Sequence, residues 1–147
     1  MVKIRISQKT ALLIERLLSL GCSDEKLINL IEQNDSKLLE KYADDDYSFE
    51  TFLSYAKNHS EDIVGAIQNG YQITFNTMGG LRYWIENAFG LKEELDFKAE
   101  EGKKLGLKLT ADQIDKLRYS LASNWVVVEK NNEIDLIIYS IWIQENN

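Results

Sequence analysis

Residues 125–143 read Trp-Val-Val-Val-Glu-Lys-Asn-Asn-Glu-Ile-Asp-Leu-Ile-Ile-Tyr-Ser-Ile-Trp-Ile, and no other stretch restricts the fold as much. Two runs rich in β-branched and aromatic residues flank Asn131-Asn132. Asparagine tolerates the positive φ that both central positions of a tight two-residue turn require. The predicted element is a C-terminal β-hairpin with Lys130 opposite Glu133. Away from the turn follow Glu129/Ile134, Val128/Asp135, Val127/Leu136, Val126/Ile137 and Trp125/Ile138. One face then carries Trp125, Val127, Leu136, Ile138 and Trp142; the other carries Val126, Val128, Ile137, Tyr139, Ile141 and Ile143. An antiparallel hairpin with one wet face alternates apolar and polar residues. This one is apolar on both, so both faces need cover, from helices of the same chain or from another molecule.

Upstream, Val2, Ile4 and Ile6 alternate with Lys3 and Arg5 as a short strand. Ser7 caps a helix through Leu20 with the stripe Ala11, Ile14, Leu17 and Leu18, and Gly21 stops it. Ser23 caps a second helix, with Asp24 and Glu25 in the first turn, where the helix dipole favours acids. Further helical stretches fall at 36–43, 49–58 and 61–69. After Gly70 the period changes to two: Tyr71, Ile73 and Phe75 predict a strand over 71–76. A helix over 81–89 follows, with Leu81, Trp84, Ile85 and Ala88 on one side. The charged run 92–104 predicts an exposed loop or a frayed helix. Leu105, Leu107 and Leu109 predict a strand, and Thr110-Ala111-Asp112-Gln113 is a capping box opening a helix over 111–122. The expected class is α+β: a helical part, 1–70, and an α+β part, 71–147, with a small antiparallel or mixed sheet. No linker rich in Gly or Ser separates the two parts, which are expected to form one compact unit.

At 147 residues and 44 % apolar content the chain can bury a real core. No apolar run reaches membrane-spanning length, and the start lacks the apolar core of a signal peptide. Cys22 is the single cysteine, so no internal disulfide can form. These features lead to the expectation of a cytoplasmic protein without membrane association. The net charge of −7 is uneven: residues 36–62 hold seven acids against three lysines. Such a balance opposes binding to a phosphate backbone, which draws its affinity from Lys and Arg, and favours a basic partner or solubility alone.

Few residues carry chemistry. His59 is the only histidine and has no companion at metal or triad spacing. Asp44, Asp45 and Asp46 are consecutive and lack the glycine and the distant glutamate of a calcium loop. Neither a metal, a cofactor nor a catalytic residue is expected, and the chain does not read as an enzyme. Thr77, Gly79, Gly80 and Arg82 form a strand-to-helix turn whose backbone N–H groups would suit a nucleotide or other anion, without the spacing of a phosphate loop or dinucleotide fingerprint. Residues 17–27 have the cadence of a helix-turn-helix, and 110–143 that of a winged element. Both helices, however, offer Asp and Glu where a DNA reader would present bases.

The leading expectation is a small, acidic, non-enzymatic protein-binding module: a regulator, inhibitor or immunity-type protein of the kind made by bacteria and phage. Its anchors would be Trp125, Tyr139 and Trp142, and its acidic rim Asp44, Asp45 and Asp46. The partner would be another protein, basic in character, or a second copy of the chain. Anion binding at 77–82 and a nucleic-acid-binding regulator are the alternatives.

Overall fold

The computed structural model describes residues 3–147. Val2, placed above in the N-terminal strand, lies outside them. Helix α1 (Gln8–Ser19) is capped by the Ser7 side chain, which accepts from the Thr10 N–H, and α2 (Asp24–Glu32) by Ser23 in the same way. Then come α3 (Ser36–Glu40), α4 (Phe52–Asn58) and α5 (Ile63–Asn69). The chain continues through α6 (Met78–Phe89), α7 (Ala111–Ser120) with both bonds of its capping box, and α8 (Tyr139–Asn146).

The strands form two sheets. β1 (Arg5–Ile6) pairs in parallel with β2 (Gln72–Ile73). β3 (Lys98–Glu100), β4 (Lys103–Leu107), β5 (Trp125–Lys130) and β6 (Glu133–Ile138) form an antiparallel sheet in the order β3-β4-β6-β5. The architecture is α+β, with the N-terminal half helical. α1 packs along α6, and residues from both halves of the chain join one core cluster.

The hairpin keeps the predicted register at all six pairs from Lys130/Glu133 to Trp125/Ile138, with Asn131 at φ 52° and Asn132 at φ 65°. Its second arm stops earlier than expected. Residues 139–143 are not strand but the start of α8. The last rung is the Tyr139 N–H donating to the Asn124 carbonyl, 2.9 Å. Before Asn124 the chain bends away into α7, so residues 140–143 have no strand to pair with. A helix satisfies their backbone internally instead.

Three other expectations are corrected. The strand over 71–76 shrinks to Gln72–Ile73 and pairs with β1, not with the hairpin. Asn76 leaves the ladder because its polar groups are bonded elsewhere, and Phe75 turns outward. The charged run 92–104 is neither loop nor frayed helix over its second half, since β3 and the start of β4 lie there. Its charges fit a sheet because Lys104 is paired beneath it and Lys103 above it. Finally, α6 begins at Met78 rather than at 81, capped by Thr77, with both glycines in its first turn.

Register assigns the two sides of the large sheet. Lys104, Leu136 and Val127 lie in one row and face inward with Trp125, Ile134 and Leu107, all against the core. Lys103, Ile137 and Val126 form an outward row. Above them lies α8: Glu145 pairs with Lys103 at 2.6 Å, and Ile141 packs where a side chain at Gly102 would otherwise sit. Between α8 and the sheet runs a groove of about 810 Å³ lined by Leu105, Val128, Ile137 and Trp142. The hairpin is thus sheltered by the core on one side and partly by its own C-terminal helix on the other.

Candidate functional site

The strand-to-helix turn is already filled by the chain itself. Thr77 Oγ1 accepts from the Gly80 N–H (3.0 Å) and from Gln8 Nε2 (3.0 Å), while Gln8 Oε1 accepts from the Thr77 N–H (2.9 Å). Gly80 lets the Gln8 amide come so close that any Cβ there would overlap it, and Gly79 faces open space. Arg82 does not face the turn; it reaches Glu93 at 3.5 Å. The four residues grouped by sequence for an anion therefore do not converge. A neutral amide from α1 takes the place an anion would have at the positive helix end.

Next to this turn, Asn76 forms a buried hub. Its N–H donates to Asn124 Oδ1 and its Nδ2 to Gln8 Oε1. Its Oδ1 accepts from the Ala122 N–H, and its carbonyl from Asn124 Nδ2 and Trp125 Nε1. Trp125, expected as an interface anchor, is 4 % exposed and belongs to the core. Tyr139 does reach the surface. Together with Phe75, Met78 and Ile138 it lines a predominantly apolar cleft of about 440 Å³, with Phe75 59 % and Tyr139 49 % exposed. Trp142 lies half-buried beside Tyr139, their rings near parallel with centroids 6.5 Å apart. Alternation groups Phe75 with Tyr71 and Ile73 on one strand face, but Phe75 is exposed where those two are buried.

At the other end of α6 the acidic loop meets α1. Asp44 Oδ1 accepts from the N–H groups of Asp46 and Tyr47, and Asp44 Oδ2 pairs with Arg16 Nη2 at 2.6 Å. The backbone N–H of Asp46 is the main influence holding the Asp44 carboxyl below its usual range, with the Tyr47 N–H and Arg16 adding to it. The Arg16 guanidinium lies 4.5 Å from the Tyr47 ring centroid, and its buried Nε finds no acceptor among the described residues. Lys9 and Arg16 of α1, Asp46 and Tyr47 of the loop, and Tyr83 and Glu86 of α6 line a groove of about 700 Å³. Asp46 joins this groove; Asp45 remains an exposed loop side chain. The exposed side of α6, Gly79, Arg82 and Tyr83, connects the apolar cleft with the charged groove.

Two buried polar sets were not foreseen. Glu15, 3 % exposed, accepts from Tyr71 Oη (2.6 Å) and Lys116 Nζ (2.7 Å), and Trp84 Nε1 donates to Tyr71 Oη (2.8 Å). Burial, with the Glu15 charge adding to it, pushes the Tyr71 phenol well above its ordinary value of 10.0, so it remains a donor. The signal was present in α1: Glu15 sits within the sector marked by Ala11, Ile14 and Leu18. Every polar group in this set bonds another member, which makes it a tie between α1, α6, α7 and the start of β2. The second set is Lys104, 1 % exposed and paired with Glu93.

Among the described residues no three His, Cys, Asp or Glu side chains are placed to hold a metal ion, and no helix is long and apolar enough to cross a membrane. His59 stacks on Tyr55, with Nδ1 2.8 Å from the Tyr55 carbonyl. Helix α2 exposes Asp24, Glu25 and Glu32 beside Lys26, and α7 exposes Asp112 and Asp115 beside Arg118. Neither has the basic face that phosphate contacts need. Comparison with protein-family models, curated proteins and solved structures finds no match to this chain.

Proposed function

We propose that the protein is a non-enzymatic, acidic protein-binding module, a regulator, inhibitor or immunity-type protein, that docks its partner along the exposed side of α6. The observation that carries this reading is the cleft formed by Phe75, Met78, Ile138 and Tyr139, where two aromatic rings stand open to solvent. Aromatic side chains in such a setting are the usual energetic centre of an interface, and exposed apolar patches on small proteins mark contact surfaces. The backbone beneath them is fixed by the Asn76 hub, so little ordering entropy would be lost on docking. The acidic loop supports a basic partner, since charge at the rim steers encounter.

The test is site-specific photocrosslinking in extract from the native host, with the crosslinking residue at position 75, at 139, or at exposed Lys108 as a control. One adduct common to 75 and 139 and absent at 108 is the expected result, and an adduct of twice the chain mass would identify a second copy as the partner. Equal labelling at all three positions, or none, would overturn the reading.

A further inference from the structure

The groove between α1, α6 and the 44–48 loop has a charge imbalance that defines the chemistry of its occupant. Its two cations are held by other groups of the chain, although the buried Arg16 Nε has no acceptor among the described residues. Arg16 is paired with Asp44 and lies over Tyr47, and the Lys9 ammonium lies 4.7 Å from the Tyr55 ring centroid. Its two lining carboxylates, Asp46 and Glu86, enter no ion pair among the described residues. Tyr83, 45 % exposed, lines the same groove; Arg82 lies 5.6 Å from one side of its ring and is shared with Glu93 at 3.5 Å. Open carboxylates next to an accessible tyrosine face are the receptor chemistry for a cation that is flat and weakly hydrated. The volume of about 700 Å³ exceeds one side chain, leaving room for the segment that bears it.

We infer that this groove receives an arginine side chain of the partner, the guanidinium stacking on Tyr83 and bonding Asp46 or Glu86. The inference rests on the docking reading above and adds the partner's chemistry: a segment with an exposed arginine about half the length of α6 from an apolar patch. A lysine would take the same charge but cannot stack as a plane or bond a carboxylate with two parallel N–H groups. The groove itself already holds one such arrangement, the Arg16 guanidinium on Tyr47.

The experiment titrates isotope-labelled full-length protein with acetyl-Ala-Arg-Ala-amide and follows backbone amide shifts. Its controls are the citrulline and glutamate analogues of the peptide. A single small anchor is expected to bind with a dissociation constant on the order of 1 to 10 mM. Shifts should be confined to residues 9–16, 44–48 and 83–87. Asp46→Asn and Glu86→Gln should each weaken binding about threefold, as for a partly exposed ion pair. Tyr83→Leu should weaken it by a similar factor, while Lys130→Gln, far along the chain on the hairpin, should leave it unchanged.

Equal binding of the citrulline peptide, preference for the glutamate peptide, shifts outside the groove, or indifference to the three groove variants would each overturn the inference. Crosslinks from positions 75 and 139 in the presence of any of these results would leave the docking reading standing and remove only the arginine. Failure of those crosslinks with a positive titration would do the reverse.

Discussion

The inner and outer faces of the four-stranded sheet are made of the same kinds of side chain and have different fates. Inward-facing Trp125, Leu107, Ile134 and Leu136 are buried in the common core, and with them lies Lys104. Outward-facing Val126, Val128 and Ile137 are only half-buried, under a helix formed by the last residues of the chain. Side-chain type therefore does not decide depth. What packs on each face does, and the outer cover, α8, is short, held by the Lys103–Glu145 pair and Ile141. An inner charge is retained because Glu93 meets it, whereas outer apolar residues stay partly wet because α8 reaches only part of the sheet.

The largest expected effect tests the depth of the inner face. Trp125→Ala should cost about 3 to 5 kcal/mol in urea denaturation, as large-to-small changes in packed cores do, whereas Val128→Ala on the outer face should cost about 1 kcal/mol. Equal costs would break the distinction. Next, Lys104→Ala should cost about 3 kcal/mol, because Glu93 keeps only the exposed Arg82 at 3.5 Å in place of its buried partner. The double change Lys104→Met with Glu93→Leu should recover most of that loss, because two apolar groups need no mutual charge. If the double variant is no better than the single one, the pair contributes geometry that apolar packing does not replace.

Deleting residues 139–147 should cost about 1 to 3 kcal/mol, set by the partly covered area returned to water. It should also produce concentration-dependent association in light scattering, since a bare apolar face recruits another surface. Retained stability and a clean monomer would show that α8 is not a shelter.

Alkaline titration separates a group in the common core from one on the outer side of the sheet. Tyr71, in the core, and Lys103, under α8, both have folded values above their ordinary 10.0 and 10.5, through burial in the first case and the Glu145 hydrogen bond in the second. A raised folded value means stability that is complete below the ordinary value and lost as pH rises through the folded one. Unfolding monitored above pH 10 should therefore show a cooperative loss tied to Tyr71, which Tyr71→Phe removes at a cost of about 1 to 2 kcal/mol near neutrality. Lys103 is half-buried at the open edge of the groove under α8, so its titration should move stability little and be read in the local fluorescence of Trp142, which lines the same groove. The smallest effect belongs to the proposed anchors: Phe75→Ala and Tyr139→Ala should move stability by about 0.5 kcal/mol or less while abolishing the crosslinked adduct.

Much of the local structure was legible. Ser7, Ser23 and Thr110 cap the helices they were expected to cap, because an N-cap is a matter of one side chain and its next three residues. The hairpin register was legible for the same reason, two asparagines and a period of two. Residues 139–143 were not, because Tyr-Ser-Ile-Trp-Ile is equally apolar as strand or helix, and the choice rests on where the partner strand ends. The candidate surface was half legible. Tyr139 could be named from composition, but Phe75 and Trp125 exchange their expected places, since the Asn76 hub expels one and draws in the other.

By itself the sequence determined the starts of α1, α2 and α7, the hairpin register as far as Ile138, and that the ribbon near the C-terminus needs cover on each side. Those are short-range matters of capping, φ preference and side-chain period. Only the tertiary structure decided that Gln8 seals the glycine turn, that Lys104 and Glu15 carry charge inside, and that Phe75, Tyr139, Tyr83 and Asp46 lie along one helix. Most of these depend on partners tens of residues away, and Lys104 on Glu93 across a turn of the sheet, so the free energy of each contact is set by what meets it.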